Sequence, residues 1–89
     1  MEIIFNPAKD EINRRKHHVS LSLASKIDWS EVWFEVDVRY DYQEVREIGY
    51  ALVGDRLYCV VYTQRGETMH IISLRKANRR EVKRYVDET

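Results

Sequence analysis

The sequence has one cysteine, one proline, three glycines and no net charge in 89 residues. Each scarcity excludes something. A lone Cys59 cannot form an internal disulfide, so the fold must stand on its core, and a reducing cytosol suits it. Cys59 lies in the apolar run Leu57 to Tyr62, where a small buried residue is expected. Three glycines leave no Walker-type or dinucleotide-binding loop. No apolar run approaches the ~20 residues that cross a bilayer. Met1 to Phe5 is apolar but has no basic leader before Pro7, so no signal peptide and no membrane partner are expected. The three histidines provide no metal site: His17 and His18 would point apart on a helix, and His70 is remote.

What remains is one domain, residues 1–89, with enough apolar residues (44%) for a single core and no room for a regulatory domain. The charge is segregated. From Asp28 to Glu47 seven acids face two bases, a net of −5, whereas from Met69 to Tyr85 six bases face Glu81, a net of +5. A second basic cluster runs from Arg14 to His18. Such clusters, more than the total, decide where a polyanion docks.

Local signals mark the elements. Glu2 to Phe5 is a short strand. Asn6-Pro7 opens a helix, with Asn6 as cap and Pro7 in the first turn. Ala8 and Ile12 are expected on its core side, with Lys16 extending that row, and the basic cluster at its end complements the helix dipole. Ser20 caps a second helical segment with Leu23, Ala24 and Ile27 inward. Val32 to Tyr40 alternates as an edge strand, its Glu35, Asp37 and Arg39 side expected to be wet. Three strands follow, Val45 to Val53, Arg56 to Thr63 and Glu67 to Leu74, joined by turns at Gly54-Asp55 and Arg65-Gly66. Asn78-x-x-Glu81 is a capping box opening a last helix, with Val82, Tyr85 and Val86 toward the sheet. This is an α+β fold: a small antiparallel sheet of three to four strands with N-terminal helices and a C-terminal helix, the helices on one side.

Phe5-Asn6-Pro7-Ala8-Lys9 and Asn13-x-x-Lys16-His17-x-Val19-Ser20 resemble the start of the BrnT family of toxins. The resemblance continues at Val61-Tyr62-Thr63-x-Arg65-Gly66, Ile71-Ile72-Ser73-x-Arg75-x-Ala77 and Asn78-Arg79-x-Glu81-x-x-x-Tyr85. It implies a RelE-like fold, metal-independent RNA cleavage without a cofactor, a cytoplasmic location, and a cognate antitoxin that neutralises the toxin in a hetero-oligomer. The family usually has Gly where His18 stands and often Arg where His70 stands. A left-handed residue after the first helix would favour Gly, so either His18 tolerates some strain or the helix ends differently. If that arginine binds substrate phosphate in the family, His70 supplies a weaker, pH-dependent substitute here. Residues 29–42 match no known pattern.

Metal-free RNA cleavage needs a base for the ribose 2′-hydroxyl, cations for the phosphorane and an acid for the leaving oxygen. His17 is the natural titrating group. Arg65, Arg75 and Arg79 can clamp phosphate oxygens through their planar forks. Lys16, His70, Lys76, Arg80 and Lys83 are the expected RNA-binding residues around them. Bland alternatives stand beside these: His17 as a solvated helix-end cation, Arg65 as a turn residue, Ser73 as a strand hydroxyl, Tyr85 as packing. A non-catalytic nucleic-acid- or antitoxin-binding module on the same fold is the alternative function.

Overall fold

The computed structural model of the chain describes residues 1–39 and 43–89. Strand β1 (Glu2–Ile4) leads into helix α1 (Pro7–His17). Two 3-10 turns, Leu21–Lys26 and Trp29–Glu31, connect it to β2 (Trp33–Val36). Then come β3 (Glu47–Val53), β4 (Arg56–Arg65), β5 (Thr68–Lys76) and α2 (Arg79–Glu88). The α+β class and the terminal helices agree with expectation. The sheet has five strands in the order β1-β5-β4-β3-β2, and β1 joins β5 in parallel while the other pairs are antiparallel.

The helical segments divide between both faces of the sheet and one of its edges, not a single side. Val19, Leu21, Ala24 and Ile27 lie against Ala51, Val60, Tyr62, Met69, Ile71 and Leu74 on one face. On the other, Tyr85 of α2 packs with Tyr50, Leu57 and Cys59. Of the three apolar residues expected to face the sheet from α2, only Tyr85 is well covered. Val82 and Val86 stay exposed and line a groove with Leu52 and Leu57. No helix is long and apolar enough to cross a membrane among the described residues.

Local chemistry explains the boundaries. Asn6 Oδ1 accepts the Ala8 and Lys9 N–H groups at 2.8 and 3.4 Å, closing the first turn of α1. At the other end His18 adopts φ 59°, ψ 29° and donates its N–H to the Arg14 carbonyl at 2.9 Å, as its position in place of Gly required. Ser20 caps the next segment by accepting from Ser22 N–H at 3.1 Å. Asn78 and Glu81 close the capping box reciprocally, both at 2.8 Å.

Two facing assignments are corrected. Ala8 is exposed and Ile12 is 62% exposed, because α1 runs along the edge of β5, where backbone groups await partners. The inward row is instead Asp10, Asn13 and His17. Asn13 joins the sheet edge directly, and Asp10 accepts the Leu21 N–H at 2.7 Å and the Ser20 hydroxyl at 3.1 Å. An edge rewards hydrogen-bonding side chains where a sheet face would reward apolar ones.

The second correction is β2, which covers residues 33–36 only. Tyr40 falls outside the described residues. Phe34, Val36 and Val38 are 58%, 55% and 85% exposed, while Asp37, expected in water, is buried. Phe34 and Val36 lie on the sheet face beyond the reach of the helical layer, whereas Trp33 and Glu35 sit under α2, within reach of Arg84. Asp37 is held by the Arg39 guanidinium at 2.8 and 2.9 Å, which neutralises the buried carboxylate.

Candidate active site

A β-bulge shapes the site. Val61 pairs with Ser73 and Tyr62 with Ile71, so Ile72 opposes no residue of β4. The extra residue lets Ile71 and Leu74 both face the core while Ser73 and Arg75 face the other way. Ile72 thereby lines two hollows that meet beside α1. The smaller, of about 160 Å³, is bounded by Lys9, Lys16, His17, Asn13 and Ser73. The larger, of about 370 Å³, includes Asn6, Lys9, Arg46, Thr63, Arg65 and His70. Lys9 and Ile72 belong to both, so the two hollows are neighbours, a trough along α1 and the outward side of β4 and β5 with these two side chains between its ends.

His17 is half-buried at the narrow end. Burial, then the charges of Lys16, Arg75 and His18, hold its pKa below the ordinary 6.5, which keeps the imidazole neutral and basic at neutral pH. Arg75 is the cation beside it and is not solvent-free-swinging: its fork grips Glu81 at 2.8 and 2.9 Å. Glu81 also accepts the Asn78 N–H at 2.8 Å and the Tyr50 hydroxyl at 3.3 Å. The Arg75 bond, helped by the Asn78 N–H, lowers the Glu81 pKa to about 2 against the cost of burial. Arg75 is therefore a fixed charge, oriented by the same carboxylate that caps α2.

At the wide end Arg65 is paired with Glu44, Nη2 to Oε2 at 2.9 Å and to Oε1 at 3.2 Å. Thr68 donates its hydroxyl proton to the Arg65 carbonyl at 2.7 Å and meets His70 Nε2 at 3.1 Å. A neutral His70 must then carry its proton on Nε2, leaving Nδ1 as the acceptor.

The trough thus brings together Lys16, His17, Arg65 and His70, with Arg75 electrostatically coupled to His17. Lys76, Arg79, Arg80 and Lys83 line neither hollow. Lys83 pairs with Asp87 at 2.8 Å, whereas Lys76, Arg79 and Arg80 are exposed and make no ion pair among the described residues. Lys9, Glu44, Arg46 and Thr63 are site residues that sequence reasoning did not single out. Lys9 stands in one of the family-like blocks, which was its only signal. Thr63 likewise stands in a family-like block, whereas Glu44 and Arg46 lie in the segment before β3, which carries no local motif. Among the described residues no three His, Cys, Asp or Glu side chains are grouped to hold a metal ion.

Comparison with known proteins bears on this geometry. A family model described as the ribonuclease toxin BrnT of type II toxin–antitoxin systems matches residues 5–81. The crystal structure of the Brucella abortus ribonuclease toxin BrnT superposes with a TM-score of 0.66 at 19% identity, covering 89% of this chain and 99% of that one. Among curated proteins nothing matches the chain by sequence.

Proposed function

The chain belongs to the BrnT family of ribonuclease toxins of type II toxin–antitoxin systems, and we propose that it cleaves RNA without a metal ion in the trough between α1 and β5. The observation that carries this reading is the half-buried His17 on the wall of the narrow hollow beside Lys16, its pKa lowered by burial and by the charges of Lys16 and of Arg75, which Glu81 holds in place. His17 takes the proton of the ribose 2′-hydroxyl, and the 2′-oxygen attacks the adjacent phosphorus. Lys16 and Arg75 offset the charge that builds on the phosphorane oxygens, and Lys16 donates a proton as the bond to the 5′-oxygen breaks. The products are a 2′,3′-cyclic phosphate and a 5′-hydroxyl.

Arg79 shares the first turn of α2 with the Glu81 that grips Arg75, and we assign it a phosphate contact from that turn. Lys76, Arg80 and Lys83 extend the positive surface toward the same strand, attracting it at long range. Arg65 and His70 hold the strand in the wide hollow. The action takes place in the cytoplasm.

A cognate antitoxin neutralises the protein in this reading. An acidic segment of that partner covers the basic surface from Arg75 to Arg84, so inhibition is by occlusion. RNA and antitoxin should compete in a binding assay, and a ternary complex would refute occlusion. For the activity itself, purified protein should cut RNA in excess chelator and leave cyclic phosphate ends. Activity lost in chelator and restored by a divalent ion would overturn the mechanism.

A further inference from the structure

Glu44 puts a carboxylate where an anion of RNA would be expected. Its Oε2 accepts from both Nη2 and Nε of Arg65, at 2.9 and 3.3 Å, and its Oε1 from Nη2 at 3.2 Å, so the carboxylate occupies the edge of the guanidinium that a phosphodiester would use. The pair stands at the wide hollow, whose remaining polar lining is cationic or neutral: Lys9, Arg46, His70, Thr63 and Asn6. At about 370 Å³ this hollow has the volume of a ligand site, and it adjoins the narrow hollow around His17, with Lys9 and Ile72 lining both. The Arg65 side chain is 57% exposed and that of Glu44 29%, and ion pairs this wet are held weakly.

We propose that the wide hollow is a second phosphodiester subsite, for the nucleotide next to the scissile one, and that Glu44 occupies the Arg65 fork in the free protein until the strand displaces it. The inference rests on the ribonuclease reading and adds to it a subsite and an internal competitor. Displacement leaves the Glu44 carboxylate facing a bound polyanion. Binding is therefore weaker than the cations of the trough would allow, and removing this one acid should tighten it. Glu44 lies away from His17, so the change falls on substrate binding rather than on the chemical step.

The test uses the full chain and a fluorescent octadeoxynucleotide, which has no 2′-hydroxyl to be cut, at low salt. Glu44→Gln should tighten its Kd by about 3- to 10-fold, the scale on which one like charge acts at close range. Glu88→Gln makes the same charge change at the far end of α2 and should alter Kd less than about twofold. Adding Arg65→Ala to Glu44→Gln should abolish the gain. On cleavable RNA, Glu44→Gln should lower KM with kcat within about twofold of wild type. If wild type cuts RNA while Glu44→Gln and Glu88→Gln bind alike, or the gain survives without Arg65, the subsite is refuted. If wild type leaves RNA uncut, the ribonuclease reading beneath it is refuted.

Discussion

Asn13 is joined to Leu74 as one strand residue is joined to another. Its amide donates to the Leu74 carbonyl at 2.8 Å and its Oδ1 accepts the Leu74 N–H at 3.2 Å, sixty-one residues away. The same Nδ2 donates to the Val19 carbonyl at 2.8 Å. β1 ends its pairing with β5 at His70, so a side chain on α1 takes over the exposed edge. This bond fixes α1 against β5 and so sets the spacing between His17 and Ser73 across the narrow hollow.

Asn13→Ala should therefore lower folding stability by about 2–4 kcal/mol, since it orphans three buried backbone groups and not merely one contact. Asn13→Asp should be similarly harmful because a carboxylate cannot donate to either carbonyl. Denaturant midpoints at constant m-value check both.

Glu81 gives a pH signature. Its pKa is held at about 2 in the folded protein, below its ordinary 4.5, by Arg75 first. A depressed acid stabilises the fold fully above its unfolded pKa and loses that contribution as pH falls through the folded value. The stability gap between wild type and Glu81→Gln should be on the order of 1–3 kcal/mol at pH 6 and shrink steadily from pH 5 toward pH 2. Arg75→Ala should also destabilise, because it strands a partly buried carboxylate. Arg75 is a half-buried charge tied to Glu81, so its loss is felt in folding as well as in binding.

His17 should set the acid limb of the pH–rate profile. Its pKa lies below the ordinary 6.5, so kcat/KM should fall only at pH values under that point. Lys16 helps lower it, so Lys16→Ala should move the limb upward. Stability follows the same sign: the unfolded chain protonates this histidine first, so the fold weakens as pH drops below 6.5. A limb that stays in place in Lys16→Ala would remove the coupling.

His18→Gly should stabilise the protein by about 0.5–1 kcal/mol, because a left-handed residue with a side chain is strained and glycine is not. The thermal midpoint should rise by roughly 2–6 °C in a domain of this size.

Elements announced by short-range chemistry were legible before the fold was known. Asn6-Pro7, Ser20 and Asn78-x-x-Glu81 cap helical segments through bonds made within three residues, and Gly54 and Gly66 turn two hairpins with φ of 64° and 61°. The facing of α1 and β2 was not legible, because it depends on which edge or face each meets. Periodicity assumed an apolar neighbour for Ala8 and Ile12, but α1 meets a row of backbone groups. It assumed water for Asp37, but Arg39 shields it. The site divides in the same way. Lys16 and His17 line one hollow and Arg65 and His70 the other, whereas the grouping of Arg75, Arg79 and Lys76 that the strand-to-helix corner suggested lines neither. The engagement of Arg75 by Glu81 and of Arg65 by Glu44 is visible only in the folded chain.

The central claim is that His17 and its cationic neighbours cut RNA without a metal. The most direct measurement compares wild type with His17→Ala on single-stranded RNA in excess chelator, with thermal midpoints recorded alongside. Wild type should cleave to cyclic phosphate ends, and His17→Ala should be slower by about 10²- to 10⁴-fold while remaining folded. Cleavage that requires an added divalent ion, or a folded His17→Ala protein that cuts at the wild-type rate, would contradict the account.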